Sequence, residues 1–198
     1  MAGMETTATT LRWAIVFLVS HEEVQKKMQK EIDEVVGRDR RPTMADKMDM
    51  PYSSAVVMEV QRKANIITFN IPRYLTVDVE IGGHIIPAHT TIFAQITSVM
   101  DNPEIYPQPD RFDPSRFLES DGKTFNKTAM DHLVPFSLGK RQCAGEPLAR
   151  MELFLILVSL LQRYSFGVAE GRQLPDLTPI FGSVQTPVPY ECKVTLRD

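Results

Sequence analysis

Only two cysteines, Cys143 and Cys192, occur in the 198 residues, so no disulfide framework braces this chain. The four histidines, His21, His84, His89 and His132, are scattered singly with no metal-ligand spacing, and each reads as a polar surface or turn residue. No basic block stands out against a net charge of -3, which argues against nucleic acid as a partner. Internal repeats and low-complexity tracts are also missing. The longest apolar stretch, Leu153 to Leu161, falls well short of the roughly 20 residues that span a bilayer. Leu11 to Val19 is no signal-peptide core, because Glu5 precedes it, Arg12 interrupts it and no basic leader stands in front. It reads as an amphipathic core helix. With 43% hydrophobic residues the chain holds one core.

One loop is rich in chemistry. Phe136-Ser137-Leu138-Gly139-Lys140-Arg141-Gln142-Cys143-Ala144-Gly145 fits the pattern FxxGxRxCxG. Gly139 and Gly145 thin the backbone at two points where it turns and where a flat cofactor approaches. The run Ala144 to Phe166 is apolar at helical spacing and opens with Gly145-Glu146-Pro147, an acid and a proline suited to a first helical turn. Cys143 therefore precedes a helix N-terminus, where amide hydrogens and the positive end of the helix dipole favour a thiolate. A thiolate is the axial haem ligand that pushes electron density onto iron and favours oxygen chemistry. Arg141 offers a forked, permanently charged donor to a haem propionate, and Phe136 walls the sulfur from water. The alternative for the residue alone is a free buried cysteine.

The loop resembles the haem-binding loop of the cytochrome P-450 family, and five further segments match that family in order. Ala2-Gly3-Met4-Glu5-Thr6-Thr7 resembles its AGxETT, whose acid and threonine relay protons to oxygen, so Glu5 and Thr6 are the implied catalytic residues; by itself the run is helix-end capping. Glu59-Val60-Gln61-Arg62 fits ExxR, and Pro109-Asp110-Arg111-Phe112 resembles the family's PERF, whose arginine joins the ExxR pair in a buried network. The resemblance thus implies a structural role for Glu59, Arg62 and Arg111. Ile71-Pro72-Arg73 resembles the turn that carries a basic residue to a propionate, making Arg73 a second ligand there. Phe112-Asp113-Pro114-Ser115-Arg116-Phe117 matches the irregular connector before the haem loop.

Among local signals, Ser20-His21-Glu22-Glu23 forms a capping box ahead of a helix over Val24 to Val36 that Gly37 ends. Tyr52 to Ala64 is periodic as a helix, and Thr43 to Asp46 offers a weaker helix start. Tyr74 to Val79 and Gly82 to Ile86 read as strands of a small sheet. Cys192 falls in a strand as a packing residue.

The expected fold is mainly α with a small β-sheet, with residues 1–198 forming the C-terminal, haem-binding part of a truncated cytochrome P-450 domain of animal microsomal type. The resemblance implies haem b (iron protoporphyrin IX) with Cys143 as axial ligand and metal ligand, and Phe136, Gly139, Arg141, Gly145 and Arg73 around the cofactor. It implies a haem-thiolate monooxygenase that takes electrons from an NADPH-dependent reductase and inserts one atom of dioxygen into a small lipophilic substrate. Ile67, Ile71, Ile180 and Phe181 are the apolar pocket positions. Lys140 and Arg150 either face an acidic reductase surface or are solvated cations. Full-length family members imply the endoplasmic reticulum membrane, whereas this chain shows no membrane anchor. Family members are far longer, and the expectation is that the N-terminal half is missing. The alternative function is therefore a catalytically inactive fragment, or an incomplete gene model, that at most binds haem. A cysteine-based redox sensor has little support, since Cys143 has no resolving partner nearby in sequence.

Overall fold

The computed structural model describes residues 2–197. In chain order the elements are helix α1 (Ala2–Ser20), α2 (Glu22–Val35), a 3₁₀ turn (Asp46–Asp49), α3 (Pro51–Ala64), strands β1 (Arg73–Tyr74), β2 (Val79–Ile81), β3 (His84–Ile86) and β4 (Thr91–Ile92), then the short α4 (Thr97–Met100). A second 3₁₀ turn (Pro114–Phe117), α5 (Lys127–Asp131), a third such turn (Gly139–Arg141), α6 (Glu146–Arg163), β5 (Tyr164–Val168), β6 (Pro179–Ile180), β7 (Thr186–Pro187) and β8 (Cys192–Leu196) complete the described residues. Helix dominates, as the sequence predicts, but the strands form four separate antiparallel pairs among the described residues: β1 with β4, β2 with β3, β5 with β8 and β6 with β7.

The core is helical. From Trp13 to Val19 almost every side chain of α1 is buried, so this half of the helix is enclosed rather than amphipathic. It packs against α2, α3, α6, β5 and β7. Trp13 stacks on Phe17, and Phe17 on Phe112, with ring centres 5.4 and 4.7 Å apart. Met28 and Ile32 of α2, Val56 and Val60 of α3, and Leu157 and Leu161 of α6 close the same cluster.

Helix ends show which local signals the fold uses. Gly37 adopts φ +73 and its amide donates to Ile32 O, a left-handed stop that ends α2. The N-terminus of α3 is capped from another helix: Glu31 accepts from the amides of Tyr52 and Ser53 and from the Ser53 hydroxyl at 2.8, 2.7 and 2.6 Å. Pro51 opens α3, and Asn65, left-handed at φ 37, closes it.

Three local expectations fail. The capping box at Ser20 does not form, because α1 runs through Ser20 and His21 turns its ring Nδ1 onto Phe17 O at 2.9 Å. Tyr74 to Val79 is not one strand: β1 stops at Tyr74, Asp78 accepts from the Ala88 amide, and Val79 starts a separate hairpin turning at Gly82-Gly83. The apolar run to Phe166 is not all helix. It leaves α6 at Arg163 and becomes β5, which pairs with β8 through Cys192 and places that cysteine half-buried in a strand.

Candidate functional site

Cys143 sits where backbone signals place it. Gly145 is the N-cap of α6, Pro147 lies in the first turn, and the Ala149 amide donates to Gly145 O. Upstream, Ser137 and Gly139 take φ +65 and +76, both in the left-handed region, which glycine enters without a Cβ penalty. The loop is closed by its own backbone, with the Cys143 amide donating to Phe136 O at 2.9 Å and the Gln142 amide to Gly139 O at 3.1 Å. These bonds fix the sulfur at the surface, where Cys143 is exposed. Phe136 therefore does not wall it from water; its half-buried ring instead stacks under the Arg150 guanidinium, 5.1 Å away. Gly145 is not forced by packing within the chain, since a Cβ there would meet Cys143 Sγ at an ordinary 3.9 Å; its smallness keeps the sulfur's surroundings clear.

Two arginines, Arg73 and Arg141, line one cavity beside this loop. Arg73 Nη2 approaches Arg141 O at 3.4 Å, and neither arginine ion-pairs among the described residues. Asn70 donates to the Ser137 hydroxyl at 2.8 Å and tethers the turn before Arg73 to the loop. A cavity of about 530 Å³ opens here, lined by Asn70, Arg73, Ile96, Leu138, Lys140 and Arg141 among others. Three cations with no acid in the lining favour carboxylate groups. Arg150, by contrast, is engaged: Nε holds Glu146 at 2.8 Å in addition to the contact with Phe136.

The predicted charge network exists with one member exchanged. Glu59 and Arg62 are both fully buried and meet through two bonds of 2.7 and 2.8 Å. The third basic side chain is Arg116, whose Nε reaches Glu59 at 3.1 Å. Arg111 is exposed and contributes only its carbonyl, which accepts from Arg62 and Arg116. The connector folds back after Phe112, and the Asp113 amide also donates to Glu59, so the next arginine along the chain faces the pair. Arg62 further donates to Met100 O and Pro109 O, fixing the irregular segment that leads to the cysteine loop.

Glu5 is exposed and Thr6 half-buried on the first turns of α1; Thr6 O accepts from the Thr10 hydroxyl. The bond between α1 and α6 comes from the next residue, Thr7, whose hydroxyl donates to Glu152 at 3.2 Å. Ile71, Ile180 and Phe181 are exposed, Phe181 at 74%, and Ile67 is half-buried. One backbone bond and two side-chain bonds tie the neighbouring segments together: the Gln185 amide donates to Ile66 O, Gln185 Nε2 to Ala64 O, and Trp13 Nε1 to Gln185 O. Sequence reasoning gave these glutamine and tryptophan tethers no role, since no local pattern marks a side chain that binds a distant carbonyl.

A sequence profile described as Cytochrome P450 matches residues 1–194. The chain belongs to the cytochrome P450 family. It is 46% identical to cytochrome P450 2D4 of Rattus norvegicus over 191 residues, which are 96% of this chain and 38% of that protein. It is 44% identical over 197 residues to cytochrome P450 2D20 of Mesocricetus auratus, covering 100% of this chain and 39% of the relative. Cytochrome P450 2D14 of Bos taurus is 45% identical over 190 residues, 96% of this chain and 37% of that protein. The chain thus spans under two-fifths of the length of these P450 relatives. P450 membership implies haem as cofactor, and the residues present fit it: an exposed thiol at a helix start with small neighbours, beside two unpaired guanidiniums. Among the described residues no helix is long and apolar enough to cross a membrane.

Proposed function

We propose that residues 1–198 are the haem-holding, C-terminal portion of a P450 monooxygenase acting on small lipophilic molecules. The observation that carries this reading is the exposed Cys143 thiol, set at the start of α6 by the Cys143–Phe136 backbone bond and flanked by Arg73 and Arg141. Bound haem b supplies dioxygen activation, which a thiolate ligand favours. Cys143 Sγ is the ligand, and Arg73 and Arg141 neutralise the porphyrin carboxylates with charge-assisted bonds. Gly139 and Gly145 keep the approach to the sulfur clear of side chains. Glu5 and Thr6 hold and pass protons on the side of α1. Ile67, Ile71, Ile180 and Phe181 offer apolar contact to substrate. An NADPH-dependent reductase is the electron donor, and Lys140, exposed and without an ion pair among the described residues, is a cation available to an acidic face of it.

A second reading, a catalytically inactive haem-binding fragment, is favoured by the exposure of Ile71, Ile180 and Phe181. An open site would admit water, which would favour side reactions over substrate oxidation.

The test is haem titration of the purified chain, followed by reduction and carbon monoxide. The expected result is the Soret shift of a thiolate ligand, lost in Cys143→Ala. Arg73→Ala and Arg141→Ala keep the shift but weaken haem retention by about tenfold each, the worth of one charge-assisted bond. A shift that survives Cys143→Ala refutes the site. A Cys143-dependent shift without product formation in the presence of reductase, NADPH and a lipophilic substrate selects the second reading.

A further inference from the structure

The segment between α2 and α3 carries a feature that haem chemistry does not use. Arg40-Arg41 is the only adjacent arginine pair in the sequence, and Thr43 follows it as Arg40-Arg41-Pro42-Thr43. Arg40, Arg41, Thr43, Met44 and Ala45 are all exposed, and residues 41–43 lie in no regular element. Arg41 makes no ion pair among the described residues. A hydroxyl two and three residues after exposed arginines, on irregular backbone, is the charge pattern that arginine-selective serine/threonine kinases read in extended substrates.

The same hydroxyl closes a clasp. Four donors converge on Asp46: Arg40 Nη1 and Nη2 at 2.8 and 2.6 Å, the Thr43 amide at 2.7 Å and the Thr43 hydroxyl at 2.9 Å. Arg40 is anchored independently, donating to Val35 O at 3.1 Å, while its own carbonyl and that of Gly37 accept from Gln162 of α6 at 2.8 and 2.7 Å. Asp46 is tied only within the same turn, its amide donating to Thr43 O at 3.2 Å, and it starts the 3₁₀ turn leading to α3.

We propose that Thr43 is a phosphorylation site, and that its modification moves Arg40 from Asp46 to the phosphate and opens the clasp between α2 and α3. The kinase transfers the γ-phosphoryl group of ATP: the Thr43 Oγ1–P bond forms as the β–γ anhydride breaks, ADP leaves, and the hydroxyl proton passes to the kinase's base. Phosphothreonine has lost the proton that Thr43 donated to Asp46 and carries close to two negative charges beside that carboxylate. Both anions cannot keep one guanidinium at these distances. The phosphate, with more charge and three acceptor oxygens, takes it, and Asp46 swings away with the 3₁₀ turn.

The experiment incubates the full 198-residue chain with an arginine-selective serine/threonine kinase and Mg-ATP, and reads intact mass, phosphopeptides and amide exchange. One phosphoryl group is expected, absent in Thr43→Ala and incorporated about tenfold more slowly in Arg41→Ala, which removes an exposed cation and no bond of the fold. Asp46→Asn, which loosens the clasp and frees Arg40 for the kinase, is expected to speed incorporation. The Thr43 amide, which donates to Asp46, is expected to exchange faster after modification. No incorporation into the wild-type chain, incorporation unchanged in Thr43→Ala, or unchanged exchange of that amide each overturns the proposal.

Discussion

Glu59 and Arg62 face each other one helical turn apart on α3, with neither side chain touching water and two oxygen–nitrogen contacts of 2.7 and 2.8 Å between them. Removing either partner strands a charge in the core, which costs about 3–5 kcal/mol. Glu59→Ala and Arg62→Ala are thus expected to lower the urea midpoint steeply or abolish soluble yield. Arg116→Ala, losing one charged contact and three carbonyl contacts, costs about 1–3 kcal/mol. Arg111→Ala, with an exposed side chain, stays within about 0.5 kcal/mol of wild type, as does Lys30→Ala. Equal losses for Arg111→Ala and Arg116→Ala in denaturant titration would contradict this assignment.

Gln25 joins three elements with one buried amide. Its Nε2 donates to Leu18 O at the end of α1 and to Phe166 O of β5, and its Oε1 accepts from the Phe166 amide at 2.7 Å. Gln25→Leu leaves the Phe166 amide without a partner inside the fold, at a cost of about 1–3 kcal/mol. Gln29→Leu removes two bonds to Tyr164 O and the Ser165 hydroxyl but strands no amide, so the expected loss is smaller. Melting temperatures of the two variants check the order; the reverse order would show that the Phe166 amide finds another acceptor.

Three of the five tyrosines, Tyr52, Tyr106 and Tyr190, are pushed up to about 12, with burial the largest cause in each. Carboxylates near Tyr52 add to the effect, whereas Arg62 beside Tyr106 works against it. Because the folded value exceeds the unfolded 10.0, each contributes stability that is complete below pH 10.0 and is lost as pH rises toward about 12. Tyrosinate absorbance should lag for three residues and then rise together with unfolding. Tyr106→Phe, which deletes the bond to Ala129 O, should remove one lagging step. A titration in which no tyrosine lags would rule out the burial argument.

Legibility followed locality. The start of α6 at Gly145 and Pro147, the left-handed stop at Gly37 and the length of α3 were readable because each rests on residues adjacent in sequence. Ser20 misled because a cap signal cannot reveal that the preceding helix reaches it; its hydroxyl is buried without a partner among the described residues rather than capping α2. Arg111 and Arg116 both stand in the connector, and motif spacing cannot show that the chain doubles back between them to put the second against Glu59. The cap of α3 by Glu31 joins residues far apart in sequence and has no local signature. At the cysteine loop, spacing located the sulfur, but its exposure depends on what packs around it in three dimensions.

Arg62 grips Met100, Pro109 and Arg111 by their carbonyl oxygens, not by their side chains. Every amino acid carries that acceptor, so where the gripped residue's own side chain is exposed, as at Arg111, its identity is free to drift while the route of the chain stays put. Mutational tolerance in this part of the protein should therefore be lopsided: permissive at exposed positions of the segment being held, such as Gln108 and Arg111, and intolerant at Arg62 and Arg116, which hold it, and at Met100 and Tyr106, which are buried.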